Sequence, residues 1–317
     1  MSAESGALER VTVVGTGVVG VAWAAYFLGR GLDVTATDPS PRADRRLADA
    51  VDAAWPALEQ LGLADDASPD RLTFSPDLAD AVHGTQFVQE NGPEREQVKQ
   101  ELFGQLDELL GADVLLASSS STLTPSSLQA RCARHPERVL VGHPFNPAHL
   151  VPLVEVVGGT RTSAEALDRA TSFYASIGKR PIRLQQELPG HVANRLQAAL
   201  WREAYSLVER GVATVADVDA AIAHGPGLRW ALLGPLANQH LSGGDGGLAH
   251  VLAHLGPPTQ LIMDDLGAPQ LSPALVDALV HGVDDELAGI DQHALVAARD
   301  ALLLQLLANK AATPALP

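Results

Sequence analysis

The spacing of apolar residues changes near residue 188, and the change predicts two kinds of structure in one chain. Before it, short β-branched and apolar runs recur at 11–14, 33–37, 71–74, 86–89, 114–117, 139–142, 153–157 and 181–184. Between them, stretches such as 94–110 and 164–177 repeat apolar residues three and four apart, the period of one helix face. Strands alternating with helices predict an α/β fold, a mostly parallel sheet with helices on both faces. Beyond Pro189-Gly190 the strand signals stop, and leucine- and alanine-rich stretches at 194–211, 215–223, 246–255, 272–283 and 292–309 read as helices. The expected organisation is an α/β domain over residues 1–187 followed by an all-helical C-terminal domain over 188–317.

Composition narrows the function classes. A chain of 317 residues that is 46% hydrophobic can bury one large core or two moderate ones. With 22 Lys and Arg against 38 Asp and Glu, the net charge of −16 argues against nucleic acid or an anionic membrane as partner. It leaves room for a small anionic ligand, which needs only one or two local cations. Cys132 is the single cysteine, so no intrachain disulfide is expected and a reducing compartment is. No apolar run approaches the roughly 20 residues that span a bilayer. The first ten residues lack the basic and apolar regions of a secretory signal, so a cytoplasmic location is expected.

Two phrases carry chemistry. In Val11-Thr-Val-Val-Gly15-Thr-Gly17-Val-Val-Gly20, a strand breaks into a glycine-rich turn and then a helix, and a second strand ends at Asp38. In this setting Gly15 permits the tight turn, Gly17 lets backbone approach a pyrophosphate, and Gly20 lets the helix pack on the sheet. The helix N-terminus favours the phosphate charge. Asp38 suits ribose hydroxyls and repels a 2′-phosphate, so the expected cofactor is NAD in a Rossmann-type domain; Arg42, close by, is the one feature that suits the phosphorylated cofactor instead.

The second phrase is Gly142-His143-Pro144-Phe145-Asn146-Pro147, followed by Leu153-Val154-Glu155-Val156-Val157. His143 ends an apolar strand late in the sheet, where ligands of open parallel sheets bind. Glu155 interrupts an otherwise apolar strand, and a buried carboxylate needs a partner. Pairing with His143 would fix the imidazole tautomer and raise its basicity. A histidine satisfied at a strand end, with no role in catalysis, is the competing reading of His143 alone.

These phrases, with Ser118-Ser-Ser-Ser121 and Gly190-His-Val-Ala-Asn194-Arg195-Leu196, resemble the L-3-hydroxyacyl-CoA dehydrogenase superfamily from about residue 10 to residue 255. The resemblance implies that His143 acts as general base and Glu155 orients it. It implies that Ser121 and Asn194 contact the substrate oxygen, with Ser119 and Ser120 as neighbouring choices within the serine run. On the cofactor side it implies Glu94, Lys99 and Asn146, and it implies a dimer formed through the helical domain. No metal enters this chemistry.

Departures from the acyl-CoA members point to a branch. They usually carry several lysines after the second strand for the CoA nucleotide, and between Asp38 and Glu90 this chain has none. Gly225-Pro-Gly-Leu-Arg229-Trp230-Ala resembles the branch acting on free hydroxy acids, which holds the L-gulonate 3-dehydrogenases (relatives of lambda-crystallin) and the L-carnitine dehydrogenases. In that reading the substrate is a small free L-3-hydroxy acid and Arg229 clamps its carboxylate. An Arg salt-bridged on a helix surface is the alternative. Trp201, Tyr205 or Trp230 could line a box for a quaternary ammonium group, or serve as core residues. A thioester substrate and a non-catalytic, crystallin-like role stand as rival functions. His191 and Gly92 occupy positions where relatives usually have a large apolar residue and Val.

Overall fold

The computed structural model describes residues 8–316. Among these, eight strands form one sheet in the order β3-β2-β1-β4-β5-β6-β7-β8. They are β1 (Arg10–Val14), β2 (Asp33–Thr37), β3 (Leu72–Phe74), β4 (Phe87–Glu90), β5 (Leu115–Ser118), β6 (Val139–Pro144), β7 (Leu153–Gly158) and β8 (Arg180–Arg183). The first unit also holds α1 (Val18–Gly29), α2 (Ala43–Leu61), α3 (Leu78–Ala81), α4 (Glu96–Leu109), α5 (Pro125–Leu128) and α6 (Ala164–Ser176). Every strand pair is parallel except β6 with β7. The exception has a simple cause: residues 145–152 are too few for the crossover of about a dozen residues that a parallel partner requires.

The chain runs outward through β1, β2 and β3, then returns to place β4 on the other side of β1. That reversal opens a crevice beyond the carboxyl ends of β1 and β4, where ligands of such sheets bind. One face of the sheet packs Trp23, Phe27, Phe87, Phe173 and Tyr174, with the Phe87 and Phe173 rings 4.4 Å apart. The other face packs Val88, Phe103, Leu106, Leu116, Leu128 and Val141. Helix α1 is buried from Ala22 to Gly29, which is why its sequence is apolar all round rather than striped.

Beyond the ends that hydropathy predicts, β4, β5 and β6 reach to Glu90, Ser118 and Pro144, and β7 reaches to Gly158. Glu90, Ser118 and, one residue before its strand's end, His143 are polar but buried and bonded, so the apolar pattern stops before the ladder does. This places Glu90, Ser118 and His143 on rigid strand ends rather than in loops.

The chain divides into two compact units, the first ending at Asn194 and the second beginning at Arg195. Helix α7 (Ala193–Glu209) starts at this division, and α8 (Val215–Ala223), α9 (Pro226–Trp230), α10 (Pro235–Leu241), α11 (Gly247–Asp265), α12 (Pro273–Glu286) and α13 (Gln292–Ala311) follow. Sequence reading passes over α9 and α10 because glycine and proline dominate there, yet each begins with proline at its first turn, where no N–H partner is lost. It also ends α11 too early, at Leu255. The helix continues through Pro257 and Pro258, whose missing N–H groups leave unpaired carbonyls on the exposed residues Ala253 and His254. No helix among the described residues is long and apolar enough to cross a membrane.

Candidate active site

The antiparallel ladder pairs His143 with Glu155, which puts both side chains on one face of adjacent strands. His143 Nδ1 lies 2.8 Å from Glu155 Oε2, and His143 Nε2 lies 3.1 Å from Ser121 Oγ. The other oxygen of Glu155 accepts the Val192 and Ala193 N–H groups at 2.9 and 3.0 Å, where α7 begins. Burial pushes the Glu155 carboxyl up, but the hydrogen bonds from His143, Ala193 and Val192 outweigh it and hold the group below its ordinary value. An ionised Glu155 only accepts, so the proton of neutral His143 sits on Nδ1. Nε2 is then left with a lone pair aimed at the Ser121 hydroxyl. This is the arrangement of a general base with an orienting carboxylate.

The serine run resolves into separate roles. Ser119 Oγ donates to Asn91 Oδ1 at 2.7 Å and accepts from Gln89 Nε2 at 2.8 Å and Trp23 Nε1 at 3.2 Å. Its single proton and both lone pairs are engaged within the protein. Ser120 Oγ donates to Glu94 Oε1 at 2.6 Å. Ser118 Oγ donates to Glu90 Oε2 at 2.5 Å. Only Ser121 faces His143.

Glu94 and Lys99 both act on this loop. Glu94 Oε1 takes the Ser121 and Thr122 N–H groups at 3.0 and 2.8 Å together with the hydroxyls of Ser120 and Thr122. Burial raises the Glu94 carboxyl, while Ser120, Thr122 and the Lys99 charge together pull it below its ordinary value. Lys99 is 1% exposed, and Nζ donates to both Glu90 oxygens at 2.7 and 2.8 Å and to the Gly92 carbonyl at 3.0 Å. All three of its donors are therefore engaged within the protein. Glu90 is the buried charge beside the serine loop that sequence reading misses. The signal is present, since a carboxylate ending the apolar run Phe87-Val-Gln-Glu90 raises the same burial problem as Glu155, with Lys99 one helix start away. Gly92 leaves room for it: a Cβ there would lie 2.9 Å from Glu90 Oε1.

Around the crevice, Gly15 has φ +87°, and its position against the Asn91 carbonyl leaves no space for a Cβ. At Gly20 a Cβ would lie 1.9 Å from the Gly15 carbonyl, so the helix start and turn pack backbone to backbone. At Gly17 a Cβ would meet nothing within 4 Å, leaving the approach to the turn open. The first turn of α1 has no capping side chain and no acidic residue, which suits an anion. Asp38 accepts from Thr16 N–H at 2.8 Å and from Ser40 N–H at 2.8 Å. Partial burial raises the Asp38 carboxyl and these bonds more than reverse it, so the group is ionised with lone pairs left for ribose hydroxyls. The residues present therefore fit a dinucleotide.

Asn146 is exposed just beyond β6, at the start of the segment that leads to β7. That segment is held from beneath by Lys179, whose Nζ donates to the Ala148 and Val151 carbonyls and lies 3.7 Å from the centre of the Tyr26 ring. Burial, with a contribution from Arg30, pushes Lys179 down to about 7. Asn194 lies half-buried in the first turn of α7. In the second unit, Arg229 and Trp230 are exposed on α9, and Arg229 forms no ion pair among the described residues. Trp201 and Trp230 are 47% and 41% exposed, so neither is a core residue. Trp201 and Tyr205 instead line a cavity of about 430 Å³ together with Asp219 and Asp284.

The family model described as 3-hydroxyacyl-CoA dehydrogenase, NAD binding domain, matches residues 10–188, and that of the C-terminal domain matches 190–282. An L-carnitine dehydrogenase of Streptomyces griseus is 52% identical over 293 residues, 92% of this chain and 87% of that one. An L-carnitine dehydrogenase of Bacillus cereus is 47% identical over 300 residues, 95% of this chain and 92% of that one. Among solved structures, 5-formyl-3-hydroxy-2-methylpyridine 4-carboxylic acid 5-dehydrogenase, an NAD+-dependent dismutase, superposes with a TM-score of 0.83 at 28% identity, over 96% of this chain and 98% of that one. The chain belongs to the 3-hydroxyacyl-CoA dehydrogenase family. It is an NAD-dependent oxidoreductase acting on a CH–OH group.

Proposed function

We propose that the protein oxidises the 3-hydroxyl of L-carnitine, or of a closely similar free L-3-hydroxy acid, to the 3-keto acid. The observation that carries the reading is the His143 pair itself: a carboxylate on Nδ1 and a lone pair on Nε2 beside a serine hydroxyl. The identity to L-carnitine dehydrogenases over most of the chain supports the substrate class. Bound NAD supplies the hydride acceptor. His143 Nε2 takes the hydroxyl proton, and Glu155 stabilises the imidazolium that results. Ser121 and Asn194 hold the oxygen as it becomes a carbonyl. Gly15, Gly17, Gly20 and Asp38 would hold the dinucleotide, with Asn146 on the nicotinamide side and Glu94 keeping the serine loop in place. Arg229, an exposed guanidinium without an ion pair among the described residues, suits the substrate carboxylate.

The second unit supports a homodimer. Leu236, Leu241, Leu261, Ile262, Leu271 and Leu302 are each more than 60% exposed there. Side chains of this size left in water mark an interface, and a second copy of the chain is the occupant proposed. A cytoplasmic location agrees with the single, buried Cys132.

The test follows NADH formation with L-carnitine, L-gulonate, L-3-hydroxybutyrate and L-3-hydroxybutyryl-CoA. Turnover of L-carnitine, lowered by about 10²–10⁴-fold in a folded His143→Ala variant, is the expected result. Turnover of the thioester alone would overturn the free-acid reading.

A further inference from the structure

A second imidazole is buried beside the first. His191 is 0% exposed, and its ring centre lies 5.1 Å from that of His143. Its Nε2 lies 2.9 Å from the Ser120 carbonyl, which can only accept, so Nε2 carries the proton. Its Nδ1 is buried with no hydrogen-bond partner among the described residues. The backbone at His191 is left-handed, with φ +51°, a conformation that costs a non-glycine residue about 1 kcal/mol or more and persists only where the surroundings demand it. A strained backbone and an orphaned ring nitrogen are two penalties accepted for one hydrogen bond.

That bond closes a circuit. The residues after His191 supply the Val192 and Ala193 N–H groups that hold Glu155 Oε1, and Glu155 Oε2 holds His143 Nδ1. On the far side, His143 Nε2 meets Ser121, the neighbour of the residue that His191 holds. We infer that His191 is a positioning residue: its ring ties the start of α7 to the serine loop and so keeps the Ser121 hydroxyl on the base. The groups facing it are His143 from β6, Glu155 from β7 and Glu94 from the turn before α4. Burial lowers the His191 value and the neighbouring His143 lowers it further, against the opposing pull of Ser120, Glu155 and Glu94. The ring thus stays neutral and adds no second cation where His143 must become one.

The inference rests on the proposed role of His143, and its test separates the two. His191→Phe keeps a ring and removes the donor. His191→Gly removes the donor together with the backbone strain, so the two variants perturb the site in opposite ways, one by a bulkier ring and one by an unstrained but emptier position. His191→Gln offers a carboxamide N–H toward the same carbonyl. Turnover should fall about tenfold in the Phe and Gly variants, the scale of one lost hydrogen bond, and recover in the Gln variant. KM for NAD should stay within about twofold, because no part of the dinucleotide crevice is touched. In parallel, imidazole nitrogen NMR of the unliganded protein should show His143 Nε2 losing its hydroxyl hydrogen bond in the Phe and Gly variants and regaining it in Gln. Unchanged His143 resonances and turnover would overturn the inference. Altered resonances in a protein that oxidises no hydroxy acid would uphold the clasp and overturn the enzymatic reading alone.

Discussion

Glu155 faces His143 directly across the one antiparallel ladder of the sheet, and its two oxygens serve different partners. Oε2 fixes the imidazole, while Oε1 receives the first N–H groups of α7. All three bonds need an acceptor. A carboxamide has only one acceptor oxygen, so Glu155→Gln must turn its NH2 group either toward His143 or toward two N–H donors. We expect turnover at least 100-fold lower and a stability loss of about 1–3 kcal/mol, the scale of an unmatched buried polar group. Steady-state kinetics and urea unfolding check both. A folded variant of normal activity would refute the assignment. With the carboxyl held below its ordinary value of 4.5, its stabilising contribution is complete above that pH and is lost as pH falls through the lowered value.

The serines should separate activity from stability. Ser121→Ala removes the hydroxyl facing His143, and turnover should drop by about 10-fold or more with the unfolding midpoint nearly unchanged. Ser119→Ala breaks a saturated interior node among Trp23, Gln89 and Asn91. It should destabilise by about 1–3 kcal/mol and alter kinetics less than the Ser121 change. The reverse pattern would mean that the roles are exchanged.

The glycines of the first turn predict a similar contrast. Gly20→Ala drives a Cβ into the Gly15 carbonyl and should disrupt the turn itself. Gly17→Ala meets no protein atom, so the variant should fold normally. Its methyl group would stand where the dinucleotide approaches, and NAD affinity measured by fluorescence or calorimetry should weaken by about 10-fold or more. Normal NAD affinity in Gly17→Ala would place the pyrophosphate elsewhere.

Much of this is legible in the sequence, and each gap has its own physical cause. Strand and helix alternation places all eight strands; the central ones stand out because buried strands are continuously apolar, whereas the edge strands β3 and β8 are short and partly exposed. The His143–Glu155 pairing follows from a carboxylate in an apolar strand. Glu90 carries a similar signal at the end of its apolar run, but its partner Lys99 lies on α4 and the pair exists only once the fold brings the two together. Ser119 and Ser121 are chemically identical in sequence, and only a two-residue difference in position decides which hydroxyl is saturated. The antiparallel turn of β7 is a matter of connection length, which hydropathy does not report.

Lys179 should make stability depend on alkaline pH. Its value in the folded protein is about 7 against 10.5 for an ordinary lysine. Below about 7 the proton is bound in both states and the cost of the buried charge is complete. Between 7 and 10.5 the unfolded chain binds more protons, so stability rises with pH, and above that range the cost is gone. Lys179→Met lacks this dependence. The stability of the natural protein relative to the variant should therefore grow by a few kcal/mol from neutral pH to about pH 10. Parallel pH slopes would rule the effect out.

The double attachment of Glu155 also shapes how a chain of this kind can lose its activity. Mutations that silence Ser121 or His143 remove a reaction and leave the scaffold standing, whereas loss of Glu155 unfastens the first turn of a helix as well. A lineage that kept the protein only for its bulk would shed the hydroxyl and the imidazole first. The carboxylate would survive longest, as a fossil of proton transfer preserved by architecture.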